Sequence, residues 1–232
     1  MKMGNPRWLA GEGAEMADAM RAARACFDEF AREVELENWR IIPSHDSALI
    51  KAFFPNKGSR TTGEFLIVDE VSIGPDFVTG ILASPSRMNP ALAAGVDVTV
   101  PMENVCDWML IVGEKGVGGF TIDVLKQRIR PEQMEAYESM PPVSWFKHRR
   151  TITAFQELAA KPICVSCGVR SLLDRPYREG VCGCCANGLK RCNCPKCGVP
   201  LFRAEGAAPE CHACASGQHR KAAELRPWWQ FW

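Results

Sequence analysis

Cys164-Val-Ser-Cys-Gly-Val169 and, thirty residues on, Cys194-Pro-Lys-Cys-Gly-Val199 are two versions of one turn, and they decide how the last third of the chain folds. In each, two residues separate two cysteines, a spacing that lets both sulfurs of a tight turn reach one ion at about 2.3 Å. A glycine follows the second cysteine, where such a knuckle needs a positive φ. Two further Cys-x-x-Cys pairs, Cys182/Cys185 and Cys211/Cys214, complete the series. Four such turns make two closed four-thiolate sites, which suit structural Zn2+ and leave no position for water or substrate. Iron can also be held by two such knuckles, so zinc is preferred on frequency of use alone.

The eight ligands can be shared out in two ways. Consecutive pairing places Cys164, Cys167, Cys182 and Cys185 on one ion and Cys194, Cys197, Cys211 and Cys214 on the other, in keeping with the repeat. Crossed pairing, as in RING-like folds, joins the first pair with the third and the second with the fourth. Cys184 and Cys192 are surplus, and with His212 they are candidate substitute ligands. The region holds few large apolar side chains beyond Leu172, Leu173, Leu201 and Phe202, too few to offset ordering entropy. A structural zinc contributes roughly 10–16 kcal/mol of apparent binding free energy at neutral pH. The expectation is a zinc-ribbon-like module over residues 162–216, stabilised by two zinc ions.

Ten of the twelve cysteines lie between Cys164 and Cys214. The first thirty residues lack a basic start followed by an apolar stretch, and no run of 18 apolar residues occurs. These features predict a cytoplasmic protein without a membrane span. In that reducing compartment a dense cysteine pattern means metal rather than disulfides. Residues 1–150 carry 17 Lys+Arg against 21 Asp+Glu, and residues 151–232 carry 11 against 6. A basic lobe suggests a polyanion partner. Eight thiolates and two divalent ions, however, reduce its charge from +5 to about +1.

Upstream, Met16, Met20, Ala23, Phe27, Phe30 and Val34 recur at spacings of three and four, which predicts one amphipathic helix over 14–36. Residues 48–54, 64–71, 77–83, 96–100 and 105–112 read as strands, with a turn at 72–76 around Gly74-Pro75. Residues 113–119 read as a glycine-rich loop, and 121–130 and 131–137 as helices, the second opened by Pro131. Helix, strands and helices in that order predict an α+β domain over 1–140, built on a small antiparallel sheet. A connector follows at 141–161, with a short helix near 155–160. Beyond the metal module lies an aromatic tail, 217–232, ending in Trp228, Trp229, Phe231 and Trp232. The tail is expected either to fold back on the chain or to insert into a partner.

From Met16 to Tyr137 the chain resembles the bacterial family called domain of unknown function 2314. The resemblance rests on Ala22-Ala-Arg-Ala-Cys-Phe-Asp-Glu-Phe30, Ala48-Leu-Ile-Lys-Ala-Phe-Phe54, Gly80-Ile-Leu-Ala-Ser-Pro85 and Gly95-Val-Asp-Val-Thr-Val100, followed by Val105-Cys-Asp-Trp-Met109 and Gly118-Gly-Phe-Thr121. Gly63-Glu-Phe-Leu-Ile-Val68 stands where the family usually has an acidic-His-Met-Trp-like segment, and Ser84-Pro85 where it often has Asn-Pro. The resemblance implies a compact α+β domain and no particular reaction.

Asp107, Trp108, Gly118, Gly119 and Thr121 have two readings. In one, Trp108 is a core aromatic with a partner for its indole N–H, Asp107 braces the glycine loop, and the two glycines make a positive-φ turn. In the other, the five residues line a groove for a ligand or partner. No P-loop, zincin, nucleophile-elbow or paired-carboxylate pattern is present. Cys26 and Cys106 sit among apolar residues and read as small buried hydrophobes. The function expected is a non-enzymatic, cytosolic protein-interaction or regulatory protein with structural zinc. One alternative is nucleic-acid binding through Arg170, Arg175, Arg178, Lys190, Arg191, Lys196 and Arg203, with Tyr177 or Phe202 stacking. Another is an enzyme with a site near 113–121.

Overall fold

The computed structural model describes residues 13–59, 61–149, 152–173 and 179–217. The stripe Met16, Met20, Ala23, Phe27, Phe30, Val34 is buried along its length, but two helices carry it rather than one. These are α1 (Ala14–Ala25) and α2 (Phe27–Glu37). At Cys26 the backbone leaves the helical region, with φ −102° and ψ 11°. The cause is tertiary. The Trp108 indole N–H donates to the Ala23 carbonyl at 2.8 Å, and the Cys26 N–H turns to the same oxygen at 3.3 Å. An outside donor inserted into the helical ladder is enough to interrupt it.

Six strands follow: β1 (Ser47–Pro55), β2 (Gly63–Ile73), β3 (Phe77–Leu82), β4 (Asp97–Pro101), β5 (Val105–Val112) and β6 (Lys115–Gly118). They form one sheet in the order β4-β3-β2-β1-β5-β6, antiparallel throughout. β4 and β5 are successive in the chain but lie apart, because β5 crosses to pair with β1, Ile50 opposite Trp108. Side-chain alternation divides the apolar residues between two faces. Ile50, Val68, Trp108 and Leu110 share a core with Phe27, Phe30 and Val34. Leu49, Met109 and Ile111 meet Ile122, Val143 and Phe146 on the other face. β5 is therefore buried except at its last residue.

The predicted glycine loop at 113–119 is in part a strand. Gly116 and Gly118 sit in β6, opposite Ile111 and Met109. A Cβ on Gly116 would lie 2.3 Å from Phe146 Cζ, and one on Gly118 2.4 Å from the Trp108 carbonyl oxygen. Their composition therefore reflects close approach rather than looseness. Gly118 also has a φ of 84°. Gly118→Ala should cost about 2–3 kcal/mol in a chemical-denaturation measurement, through clash and a left-handed backbone. A loss under about 1 kcal/mol would mean that the Trp108 strand yields to the new methyl group.

α3 (Phe120–Arg128) and α4 (Pro131–Glu138) follow, the latter opened by its proline. The stretch expected as a connector packs against this layer. It contains a 3-10 turn at Val143–Phe146 and α5 (Ala154–Ala159), the latter started by a capping box between Thr153 and Gln156. Val143, Phe146, Ala154 and Leu158 are buried. Buried Arg149 donates to the carbonyls of Gly118 at 2.8 Å and Gly119 at 3.0 Å, and pairs with Asp123 at 2.9 Å. It clasps the glycine turn from outside.

The cysteine-rich part contains α6 (Gly183–Ala186), β7 (Lys190–Asn193), β8 (Pro200–Arg203) and α7 (His212–Ala215). β7 and β8 form an antiparallel pair. Leu172, Val199, Leu201, Cys194 and Cys211 belong to the same apolar core as Phe30, Val34 and Trp108, so this part rests on α2. The chain is α+β, as expected. Among the described residues no helix is long and apolar enough to cross a membrane. Trp228, Trp229, Phe231 and Trp232 of the tail, and Arg175, Tyr177 and Arg178, lie outside the described residues.

Candidate metal centres

The eight cysteines gather in consecutive order. Cys164, Cys167, Cys182 and Cys185 form one group, and Cys194, Cys197, Cys211 and Cys214 the other, with all sulfurs of a group within 4.8 Å of one another. Crossed pairing is not the arrangement adopted. A tetrahedron with metal–sulfur bonds of about 2.3 Å has edges of roughly 3.8 Å. The Cys167–Cys182 sulfurs are 3.8 Å apart, Cys194–Cys214 3.7 Å, and Cys197–Cys211 3.4 Å. A disulfide needs about 2.05 Å, and none of the cysteines forms one. Each group can therefore hold a metal ion, and four-sulfur donor sets suit soft, tetrahedral ions.

The two centres repeat one another in backbone geometry. In the first knuckle, Cys164 N–H donates to the Val169 carbonyl at 3.0 Å and Gly168 N–H to that of Cys164 at 2.8 Å. In the second, Cys194 N–H donates to Val199 at 2.9 Å and Gly198 N–H to Cys194 at 2.7 Å. Gly168 and Gly198 take φ of 67° and 75°, as the knuckle requires. The repeat extends beyond the first and third Cys-x-x-Cys turns to the second and fourth. Cys182 and Cys211 each stand just before a one-turn helix, α6 or α7, and accept a hydrogen bond from the N–H of Cys185 or Cys214 at 3.4 Å. The signal was the shared Cys-x-x-Cys spacing, masked by dissimilar residues between the cysteines.

These turns aim backbone N–H groups at sulfur. Cys182 N–H points at the Cys164 sulfur and Cys211 N–H at that of Cys194, both at 3.3 Å. Burial pushes the Cys164 thiol up, but N–H donors from Cys182, Cys167 and Ser166 outweigh it and bring it down to about 6. Burial likewise raises Cys194, and donors from Cys211, Cys197 and Lys196 bring it down to about 7. The N–H donors thus favour the thiolate, the form that binds metal, at one sulfur of each site.

The surplus residues stand apart from both groups. Cys192 is exposed on β7, and Cys184 is half-buried, with burial pushing its thiol up to about 11. The His212 ring meets Trp39 edge-on at 5.9 Å instead of joining a ligand set.

The five groove candidates do not line an open surface. Asp107, Trp108 and Thr121 are at most 1% exposed, and both glycines are buried. Asp107 accepts from the N–H groups of Trp108, Phe120 and Thr121 and from the Thr121 hydroxyl, at 2.7–3.2 Å. Trp108 stacks on Phe30 at 5.2 Å. Several basic side chains are also engaged. Lys190 pairs with Glu205, Lys196 with Glu210 and Arg203 with Glu35, while Arg170 donates to the Leu158 carbonyl. Phe202 is buried under the Arg32 guanidinium.

The joint between α2 and the second centre has no local signal in the sequence. Glu35 is 6% exposed. Its Oε1 accepts from Arg203 Nη2 at 2.7 Å, from the Trp39 indole at 2.9 Å and from the His212 N–H at 3.1 Å. The Arg203 guanidinium lies over Trp39 at 4.6 Å. Nothing in the local pattern of α2 marks a carboxylate whose donors come from 168 and 177 residues away.

Over 152 residues the chain is 25% identical to a protein of Neisseria meningitidis serogroup B named "Putative ankyrin repeat protein". The match takes in 62% of this chain and 60% of that protein, so the chain spans under two thirds of that relative's length. No solved structure matches it. The model of the family described as uncharacterized protein conserved in bacteria (DUF2314) matches residues 13–141, from the start of α1 through the sheet and α4, and the chain belongs to that family.

Proposed function

We propose that the protein is a non-enzymatic, cytoplasmic protein-interaction or regulatory protein, its C-terminal third held by two structural zinc ions in tandem ribbon-like units. One observation carries the reading: eight cysteines sort into two closed four-sulfur groups at tetrahedral spacing. Four thiolates fill the shell of such an ion and leave no site for water or substrate, so the ions fold the chain and perform no reaction. The division into a sheet domain to about residue 140, a linking segment and a metal module over 162–216 belongs to the same reading.

The absence of catalysis is supported by Asp107 and Thr121, whose hydrogen bonds go to bracing α3, to the Trp108 N–H and to Lys51 on β1. A protein partner is supported by the loop after α2, where Ile41 is 99% and Ile42 80% exposed. That loop is braced. Arg40 reaches Glu33 and Glu37 at 2.7 Å, and Glu37 accepts from the Ser44 N–H at 2.9 Å. Adjacent apolar side chains held out on a fixed backbone suit protein contact. The name of the Neisseria relative refers to ankyrin repeats, which present protein-binding surfaces.

Elemental analysis of protein purified without added metal should give two zinc ions per chain in a colourless sample. A photo-crosslinking residue at position 41 should yield a discrete protein adduct in cells, lost when Ile42 is replaced by Asp. Fewer than one ion per chain, or iron with visible thiolate absorption, would remove the zinc reading. Substrate turnover that depends on Asp107 would remove the non-enzymatic one.

A further inference from the structure

The two metal centres differ in how they meet the rest of the molecule. Cys194, Cys197 and Cys211 of the second lie within the main apolar core, and the ligands of the first do not. The first touches α2 through the Arg170 carbonyl, which accepts from Arg32 at 3.1 Å, and its Cys184 lies within reach of the Arg32, Glu33 and Arg40 charges. The second touches it through Glu35, a buried carboxylate with three donors. One donor is the N–H of His212, the residue next to ligand Cys211. Another is the Trp39 indole, and Trp39 begins the loop that carries Ile41 and Ile42.

We propose that metal occupancy of the second centre is transmitted through Glu35 to the 39–42 loop, so that this ion controls the order of the exposed apolar surface. The proposal rests on the reading of the cysteine groups as metal centres and adds a regulation to it. α7 has four residues and cannot hold a helical turn unaided. Its N–H groups are fixed because Cys211 and Cys214 converge on one point. Without an ion there, four thiols have no bond to keep them together, and the His212 N–H and ring leave their places. Glu35 then loses a donor while buried, which drives it toward water. Trp39 loses both the ring against it and the acceptor of its indole N–H. The Arg40 side chain stays paired with Glu33 and Glu37 while its backbone is freed, and farther along the Ser44 N–H stays tied to Glu37. The release therefore runs over residues 39–42 and stops at Ser44, and among the described residues no group of the first centre bonds to Glu35 or Trp39.

Three loop amides report on this: Trp39 N–H bonded to Leu36 at 3.0 Å, Arg40 N–H bonded to Glu37 at 3.2 Å, and Ser44 N–H. Hydrogen exchange of the full chain, with metal content measured on each sample, tests the proposal. Cys214→Ser should lose one ion and speed exchange at Trp39 and Arg40 at least tenfold, with β1 amides unchanged. Cys185→Ser should lose one ion and leave the loop at the wild-type rate. Glu35→Gln should keep two ions yet exchange faster at Trp39, and adding Cys214→Ser to it should bring little further change. Equal effects of Cys185→Ser and Cys214→Ser, or the full tenfold increase persisting in the Glu35→Gln background, overturn the proposal. If Cys214→Ser also loosens β1, Glu35→Gln decides: two ions bound with Trp39 at the wild-type rate is a refutation. A wild-type protein that binds no metal refutes both this proposal and the reading beneath it, whereas two bound ions with an unresponsive loop refute this proposal alone.

Discussion

Stripping the proposed zinc ions from the intact protein should unfold the module over 162–216 and leave the six-stranded sheet standing. Each structural ion contributes roughly 10–16 kcal/mol of apparent folding free energy near neutral pH. An ordinary domain has only about 5–15 kcal/mol in total. The cysteine-rich part cannot survive that loss, because its regular elements are four-residue pieces, too short to hold without tertiary support. The sheet contributes most of the shared core from its own side chains and those of α2, with Trp108, Phe27, Phe30, Ile50 and Leu110 no more than 1% exposed. It should nevertheless melt earlier once stripped, since α2 loses the cover of Leu172 and Leu201. Limited trypsin digestion with metal analysis checks this. Chelated protein should be cut at Lys190, Arg191, Lys196 and Arg203 while a large N-terminal fragment persists, and added zinc should restore resistance. An unchanged digestion pattern in demonstrably metal-free protein would sink the prediction.

The two four-cysteine groups were legible because their chemistry is local. Two cysteines three apart and a glycine behind them describe one turn completely, and the repeat at Cys164 and Cys194 pointed to the grouping found. Strands were legible for a similar reason, since period-two apolar runs bounded by Gly and Pro need no distant information. What failed was set at a distance. The break at Cys26 has no Gly or Pro to announce it; it exists because the Trp108 indole claims the Ala23 carbonyl from 85 residues away. β6 was hidden because Gly116 and Gly118 are required by Phe146 and Trp108 above them, and glycine reads as loop unless the covering ring is known. The Glu35 joint was invisible on the same ground. Polar residues on an amphipathic helix face normally meet water, and only tertiary structure places Arg203 and His212 there instead.

Asp107→Ala should be among the most damaging substitutions in the sheet domain, at about 3–5 kcal/mol, because it strands a set of buried donors. Gly119 stands at the cap position before α3, with a φ of 65° and no side chain with which to cap the helix. The Asp107 carboxylate, on β5, does the capping from a neighbouring element. Its two oxygens take the N–H groups of Phe120 and Thr121, the Thr121 hydroxyl and the Trp108 N–H. Burial lifts the carboxyl above its ordinary range, and the hydrogen bonds from Thr121 act against that lift. Alanine leaves the first-turn amides of α3 unsatisfied in a place water does not reach. Asp107→Asn should recover only part of the loss, since its NH2 group would face donors. Thr121→Val should cost about 1–2 kcal/mol. The double variant Asp107→Ala with Thr121→Val should cost less than the two single losses added, because the hydroxyl orphaned by the first is removed by the second. Denaturant titrations of the four proteins measure this coupling. A ligand-binding or catalytic Asp107 predicts the opposite pattern, with stability kept or raised on substitution and function lost, so an Asp107→Ala protein as stable as wild type would overturn the brace. The Asp-Trp pair that carried the family resemblance is, on this account, one structural device. Its aspartate starts α3 on one face of the sheet, while its tryptophan interrupts the first helical run on the other.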